Sequence, residues 1–249
     1  MLSLAVRGGL LLVLVVLFQY FVARAPNVQK ETKRRFQHAL TGHALVQISY
    51  ILPRSLSLAL LLIGSVAMYL AKTFFFGAFL EAFGGLLRPK ETSGEVLPGA
   101  FYFLVGTTIV VSGLVTADMR IARYAVECLA LADPMASWIG STIPSPKFTI
   151  ATDKNGGTRT SSLSGCLACF GTALGVGWWM LVVVVDSHDD GAGVATTNTN
   201  NEFTPMTLVA GALACTIAEG LPFGNDNMNI PVITALVVDQ FAAAVSAGR

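Results

Sequence analysis

Charge is what this sequence has least of. Only 12% of its 249 residues are Asp, Glu, Lys or Arg, about half the roughly 25% share of a soluble domain. That scarcity argues against a soluble globular enzyme and excludes a disordered chain. The net charge is +1, from 16 Lys+Arg against 15 Asp+Glu, so no whole-molecule field steers polyanions and no nucleic-acid partner is expected. A disulfide framework is also missing: Cys128, Cys166, Cys169 and Cys215 all lie within apolar stretches. Cys166 and Cys169 form a C-x-x-C, but no thioredoxin-like pattern surrounds it, and both read as soft side chains packed in a membrane helix. The chain has no repeat of fixed period and no N-x-S/T sequon. It also has no G-x-x-x-x-G-K-[ST] loop, which excludes a soluble P-loop as a nucleotide-binding device.

What is present is apolar sequence: 53% hydrophobic residues and a mean hydropathy of +0.64. It comes in blocks close to the ~20 residues that cross a ~30 Å hydrocarbon core. The expected fold is all-α, a polytopic membrane helix bundle of seven or eight transmembrane helices forming a single integral domain over 1–249. The predicted spans are 2–24, 38–52, 55–71, 99–116, 121–140, 162–185, 204–221 and 229–247. Residues 1–25 form a first span or signal anchor. Ala23 and Ala25 make a small-x-small site, but Pro26 directly after it disfavours cleavage. Residues 72–83 read as an amphipathic interfacial helix, and 84–99, 141–161 and 186–203 as loops. Loops 24–37, 72–98, 141–161 and 222–228 fall on one side and hold eleven of the sixteen basic residues, which places that side in the cytosol or its equivalent.

Ionisable groups within or beside spans are costly and mark functional candidates. Four clusters stand out. The first is Arg34-Arg35-Phe36-Gln37-His38, which would also serve as a positive-inside anchor. The second is Glu95 to Tyr102, a loop leading into an aromatic belt. The third surrounds Asp133-Pro134, which has the form of a helix N-cap followed by proline but lies deep in an apolar run. The fourth is Glu219 followed by Asn225, Asp226, Asn227 and Asn229, hard oxygen donors suited to Mg²⁺. A polar turn would explain those asparagines but not Glu219 at the end of a span.

The order and spacing of these clusters resemble the CTP-dependent lipid-alcohol kinases: the dolichol, phytol and farnesol kinases and the CTP-dependent diacylglycerol kinase. That family carries R-[RK]-x-x-H, G-x-x-Y-[FY]-x-x-G, D-[PT]-x-A-x-x-x-G, K-[ST]-x-x-G-[ST] and a late E…D-D-N-x-x-[IV]-P. Arg34 to His38, Gly99 to Gly106, Asp133 to Gly140, and Glu219 with Asn225 to Pro231 are similar to four of these. The resemblance covers roughly 30–235. In the remaining motif Ser161 stands at the lysine and Cys166 at the hydroxyl residue after Gly165, while Asn225 takes an acidic position.

The resemblance implies a membrane kinase that moves a phosphoryl group from CTP to a lipid alcohol such as phytol or farnesol, or to diacylglycerol, in an endoplasmic-reticulum or plastid membrane. It implies Mg²⁺ held by Asp133, Glu219 and Asp226, and nucleotide contacts from Arg34, Arg35, Lys154, Arg159, Asn227 and backbone N–H groups of Gly140 and Gly165. Asp133, Asp226 and His38 are the expected catalytic residues, with His38 or a carboxylate taking the alcohol proton. A transporter and a non-enzymatic scaffold are the alternatives. The lack of repeats and the clustering of polar groups at one face weigh against the first, while the departures at Ser161 and Cys166 leave room for the second.

Overall fold

The computed structural model describes residues 4–94, 96–152, 158–184, 204–221 and 225–248. The chain is mostly helical. Its elements are α1 (Leu4–Arg24), α2 (Lys30–Ile51), α3 (Arg54–Phe74), α4 (Phe76–Phe83), α5 (Pro89–Thr92), α6 (Gly99–Ser112), α7 (Met119–Glu127), α8 (Asp133–Thr142), β1 (Lys147–Thr152), β2 (Thr158–Ser162), α9 (Leu163–Trp179), α10 (Pro205–Glu219) and α11 (Asp226–Ala247). Among the described residues three helices are long and apolar enough to cross a membrane: Arg54–Phe74, Leu163–Val182 and Asp226–Ala247. Shorter apolar helices accompany them, including Gly8–Arg24, Gly99–Ser112 and Pro205–Glu219. These features mark a membrane protein.

Several expected boundaries move. The basic stretch before the second span is not a loop but the first turns of α2, so Arg34 and His38, four residues apart, share one helix face. α6 stops at Ser112 rather than near 116, because Gly113 adopts φ +92 and closes the helix in the left-handed region. Arg54 at the start of α3 then donates to the carbonyls of Val111, Thr116 and Ala117, fixing α3 against the end of α6. The acidic loop 186–203 lies outside the described residues.

The expected loop 141–161 is the largest departure, and it amends the all-α expectation. It holds an antiparallel hairpin, with Lys147 opposite Ser162 and Thr149 opposite Thr160, and an irregularity between Thr149 and Ala151. The two strands are rich in threonine, with Phe148 and Ile150 on β1, and such side chains favour a pleated surface over a helix.

The run 121–140 was expected to break at Asp133-Pro134, and instead it continues. α7 leads into a π-helical turn, Cys128–Ala132, and then into α8. Asp133 has φ −61 and ψ −50, so it lies within helical backbone and is not a cap at a break. A π turn pairs a carbonyl with the N–H five residues on. For Leu129 that residue is Pro134, which has no N–H. The Leu129 carbonyl is thereby left to an outside donor, and His38 of α2 provides it.

The core forms around α7 and this turn. Ile121, Tyr124, Leu129, Cys169, Ala173, Ala212, Cys215, Ile230 and Val238 are buried together there. Many are small, as expected where helices associate by close packing. A side chain at Gly106 of α6 would come within 2.7 Å of the Asn227 carbonyl and 3.0 Å of the Met228 Cα, so α6 and α11 touch backbone to backbone there.

Candidate functional site

A polar cleft of about 390 Å³ opens where α2, α8, the hairpin, the start of α9 and the α10–α11 junction meet. Its walls include Arg34, Arg35, His38, Asp133, Gly140, Gly165, Glu219 and Asp226. Residues separated by nearly two hundred positions in sequence are thus brought to one place.

Each is set by its element. Arg35 donates from Nε to Ser137 Oγ (3.1 Å) and from Nη2 to Ser141 Oγ (3.2 Å), which ties α2 to α8. Arg34 pairs with Glu31 at 2.6 Å, and its hydrogen bond holds the Glu31 carboxyl below the usual range. His38 Nε2 is 3.0 Å from the Leu129 carbonyl, and because a carbonyl only accepts, Nε2 carries the proton. Asp133 Oδ2 lies 3.7 Å from the same nitrogen. Arg34, Arg88 and Asp133 are the charges that act on His38.

Gly140 and Gly165 line the cleft, but as contact points. A side chain at Gly140 would meet Ser162 Oγ at 2.5 Å and Gly165 Cα at 3.3 Å, so the pair lets α8 and α9 close up. The Gly165 N–H donates to Ser162 Oγ, the N-cap of α9, at 3.1 Å. Gly140 sits inside α8, where backbone N–H groups serve the helix itself. The two N–H groups expected to contact phosphate are thus engaged within the protein, and both glycines permit the close approach of α8 and α9.

Asn227 stands apart from the cleft. Its Nδ2 donates to the Gly99 carbonyl at 2.7 Å, so it joins α11 to α6 and is not a cleft wall. Lys154 lies outside the described residues. Arg159 is described in its backbone alone, paired with Ala151 across the hairpin. Ser161 and Cys166, where the family motif is not met, touch each other at 3.4 Å.

Two cations that sequence reasoning missed enter the cleft. Lys147 comes from β1, opposite Ser162 in the hairpin register, and Arg88 comes from the loop before α5. The uncharged Ser161 therefore has a lysine on the neighbouring strand. Nothing in the local sequence singles out either residue, because pairing across the hairpin and the fold of the loop place them. Ser137 and Ser141 were missed as well, although the sequence carries a signal for them: with Asp133 they stand four and eight residues along α8, on one face.

Among the described residues, no three His, Cys, Asp or Glu side chains converge closely enough to cage a metal ion. Asp133, Glu219 and Asp226 line the same cleft without forming such a cage. The donor chemistry still fits Mg²⁺ carried on a triphosphate, since that ion usually takes one or two carboxylates and completes its shell with phosphate and water. The pair His43 Nδ1 and Glu127 Oε1, 2.8 Å apart, lies outside the cleft.

A second chamber adjoins the first. It is an apolar groove of about 460 Å³ between α1, α2, α3 and α6. Arg34, His38 and Arg88 line both spaces, so polar cleft and apolar groove meet at these side chains.

Comparison of the chain with protein-family models, with curated proteins and with solved structures finds no match.

Proposed function

We propose that the chain is an integral membrane kinase of seven or eight spans that transfers the terminal phosphoryl group of CTP to a lipid alcohol, an isoprenoid alcohol such as phytol or farnesol. An endoplasmic-reticulum or plastid membrane is the setting that goes with such substrates. The observation that carries the reading is the joining of two chambers of opposite character at Arg34, His38 and Arg88. A water-soluble donor suits the polar cleft, where four cations face three carboxylates. An apolar tail suits the groove, and its hydroxyl then sits at the junction.

Phosphoryl transfer asks a protein chiefly for positioning and charge neutralisation. Arg34, Arg35, Arg88 and Lys147 line the cleft and are the cations that would neutralise a triphosphate there. The chemistry that a bound Mg²⁺ supplies is neutralisation of triphosphate charge, and Asp226 and Glu219 are the residues that would hold it. His38 donates its Nε2 proton to Leu129 and stands 3.7 Å from Asp133, and the group to which we assign the alcohol proton is the Asp133 carboxylate, which lines the cleft. The alcohol oxygen bonds to the terminal phosphorus, its proton passes to Asp133, and CDP leaves.

Incubation of membranes containing the protein with γ-labelled CTP and phytol, farnesol, dolichol or diacylglycerol tests this. Label in phytol or farnesol supports it. Absence of label from every lipid, with CTP and with the other nucleoside triphosphates, overturns it in favour of a transporter or scaffold.

A further inference from the structure

Arg88 has an arrangement that a solvent-facing loop arginine does not need. Arg88 lines the polar cleft and the apolar groove together, and its exposed guanidinium has no hydrogen bond or ion pair among the described residues. Its backbone is clamped. Glu91, only 7% exposed, accepts the Arg88 N–H at 2.6 Å through Oε2 and the Gly99 N–H at 2.7 Å through Oε1. Asn227 Nδ2 then holds the Gly99 carbonyl, which links this clamp to the start of α11 beside Asp226. A buried carboxylate thus fixes the backbone of Arg88, whose exposed side chain stands with Arg34 and His38 where the polar cleft and the apolar groove meet.

The groove beneath runs from Arg34 to Ser49 along α2, about 22 Å at 1.5 Å per residue. Its volume of about 460 Å³ lies within the range of a site for one small ligand and suits one chain. At the far end Arg123 donates to the Ser49 carbonyl at 2.6 Å and lies over the Tyr50 ring, closing the floor. A planar, unpaired guanidinium over an apolar slot matches a phosphate monoester on a single hydrocarbon chain, since Arg takes two phosphate oxygens in parallel.

We infer that Arg88, positioned by Glu91, binds the phosphate of a single-chain lipid monophosphate whose tail fills the groove between α1, α2, α3 and α6. This deepens the kinase reading, on which it rests for the origin of such a ligand as the reaction product. The site itself requires no nucleotide.

The test is equilibrium binding to the purified full chain in nanodiscs without nucleotide, using farnesyl monophosphate, farnesol and inorganic phosphate as probes. Wild-type protein is expected to bind farnesyl monophosphate at least tenfold more tightly than farnesol, and millimolar inorganic phosphate is not expected to displace it. Arg88→Ala should lose that tenfold preference while keeping farnesol, Arg88→Lys should retain part of it, and Glu91→Gln should weaken the phosphate ligand selectively. Gly64→Leu places a side chain in the groove, where its Cβ would meet only Leu104 at 3.7 Å, and should weaken both lipids. Equal affinity for the two lipids, an unchanged preference in Arg88→Ala, or ready displacement by inorganic phosphate overturns the inference. Binding as expected by a protein that labels no lipid from CTP would remove the kinase reading and leave this site standing. Labelling that is accompanied by equal affinity for the two lipids would do the reverse.

Discussion

The two sides of the molecule are packed differently. In the most apolar window of α3, beside the groove, 17% of residues are buried, against 33% in those of α9 and α11, beside the cleft. α9 and α11 surround a core of small side chains, and α6 meets α11 at backbone contact. α3 is held at its start by Arg54 and borders an apolar space along much of its length. The comparison separates two tasks. Chemistry needs groups fixed to within a fraction of an ångström, which close packing provides. Admission of a lipid needs a wall that meets the bilayer and is not fully packed.

The sharpest test of the packed side is Asp133→Asn. It keeps shape and volume and removes the proton acceptor. Phosphoryl transfer should fall by about a thousandfold or more, in line with loss of general-base catalysis, with an unchanged melting temperature in detergent. Retained activity would break the assignment of the chemistry to this side.

Next in size is a matched pair of substitutions. Gly106→Ala drives a methyl group onto the Asn227 backbone at 2.7 Å and should destabilise by about 1–3 kcal/mol. Gly64→Ala meets only Leu104 at 3.7 Å and should stabilise α3 by roughly 0.5–1 kcal/mol, the usual gain of Ala over Gly within a helix. Thermal unfolding of both reads the signs directly. Equal effects would show that the two sides are packed alike.

Lys147→Ala should raise the KM for nucleotide severalfold with a smaller change in kcat, and Lys147→Arg should restore it. Steady-state kinetics at varied CTP measures this. An unchanged KM would remove the hairpin from the nucleotide side.

The smallest effect expected is at Glu31. Its hydrogen bond from Arg34 holds the folded-state pKa below the usual 4.5, so its contribution to stability is complete above that value and is lost as pH falls through the folded-state pKa. The carboxylate is about half exposed, so the change is slight. Melting curves between pH 6 and pH 3 should show a weaker acid dependence in Glu31→Gln.

Much of the cleft was legible because its residues are expensive where they stand. Asp133 in an apolar run, Glu219 at a helix end and Arg34 with His38 on one turn of α2 each require partners, and they are gathered at one cleft. What was illegible depended on contacts between distant segments. The pleated pairing of 147–152 with 158–162 cannot be read from a hydrophilic, proline-flanked stretch alone. The helical Asp133 follows from a π turn whose Leu129 carbonyl is taken by His38, ninety-one residues away. Asn227, read as a nucleotide contact, proves to be spoken for by Gly99.

By itself the sequence determined that the chain is a helical membrane protein and that its few charges lie in discrete clusters. Burying apolar area and withholding charge from lipid are properties of composition and order, and need no partner. The tertiary structure alone decided which charges meet, that Lys147 and Arg88 join them, and that the polar cleft opens onto an apolar groove. Those outcomes depend on how closely glycine-bearing helices approach and on which buried polar atoms remain to be satisfied once they have.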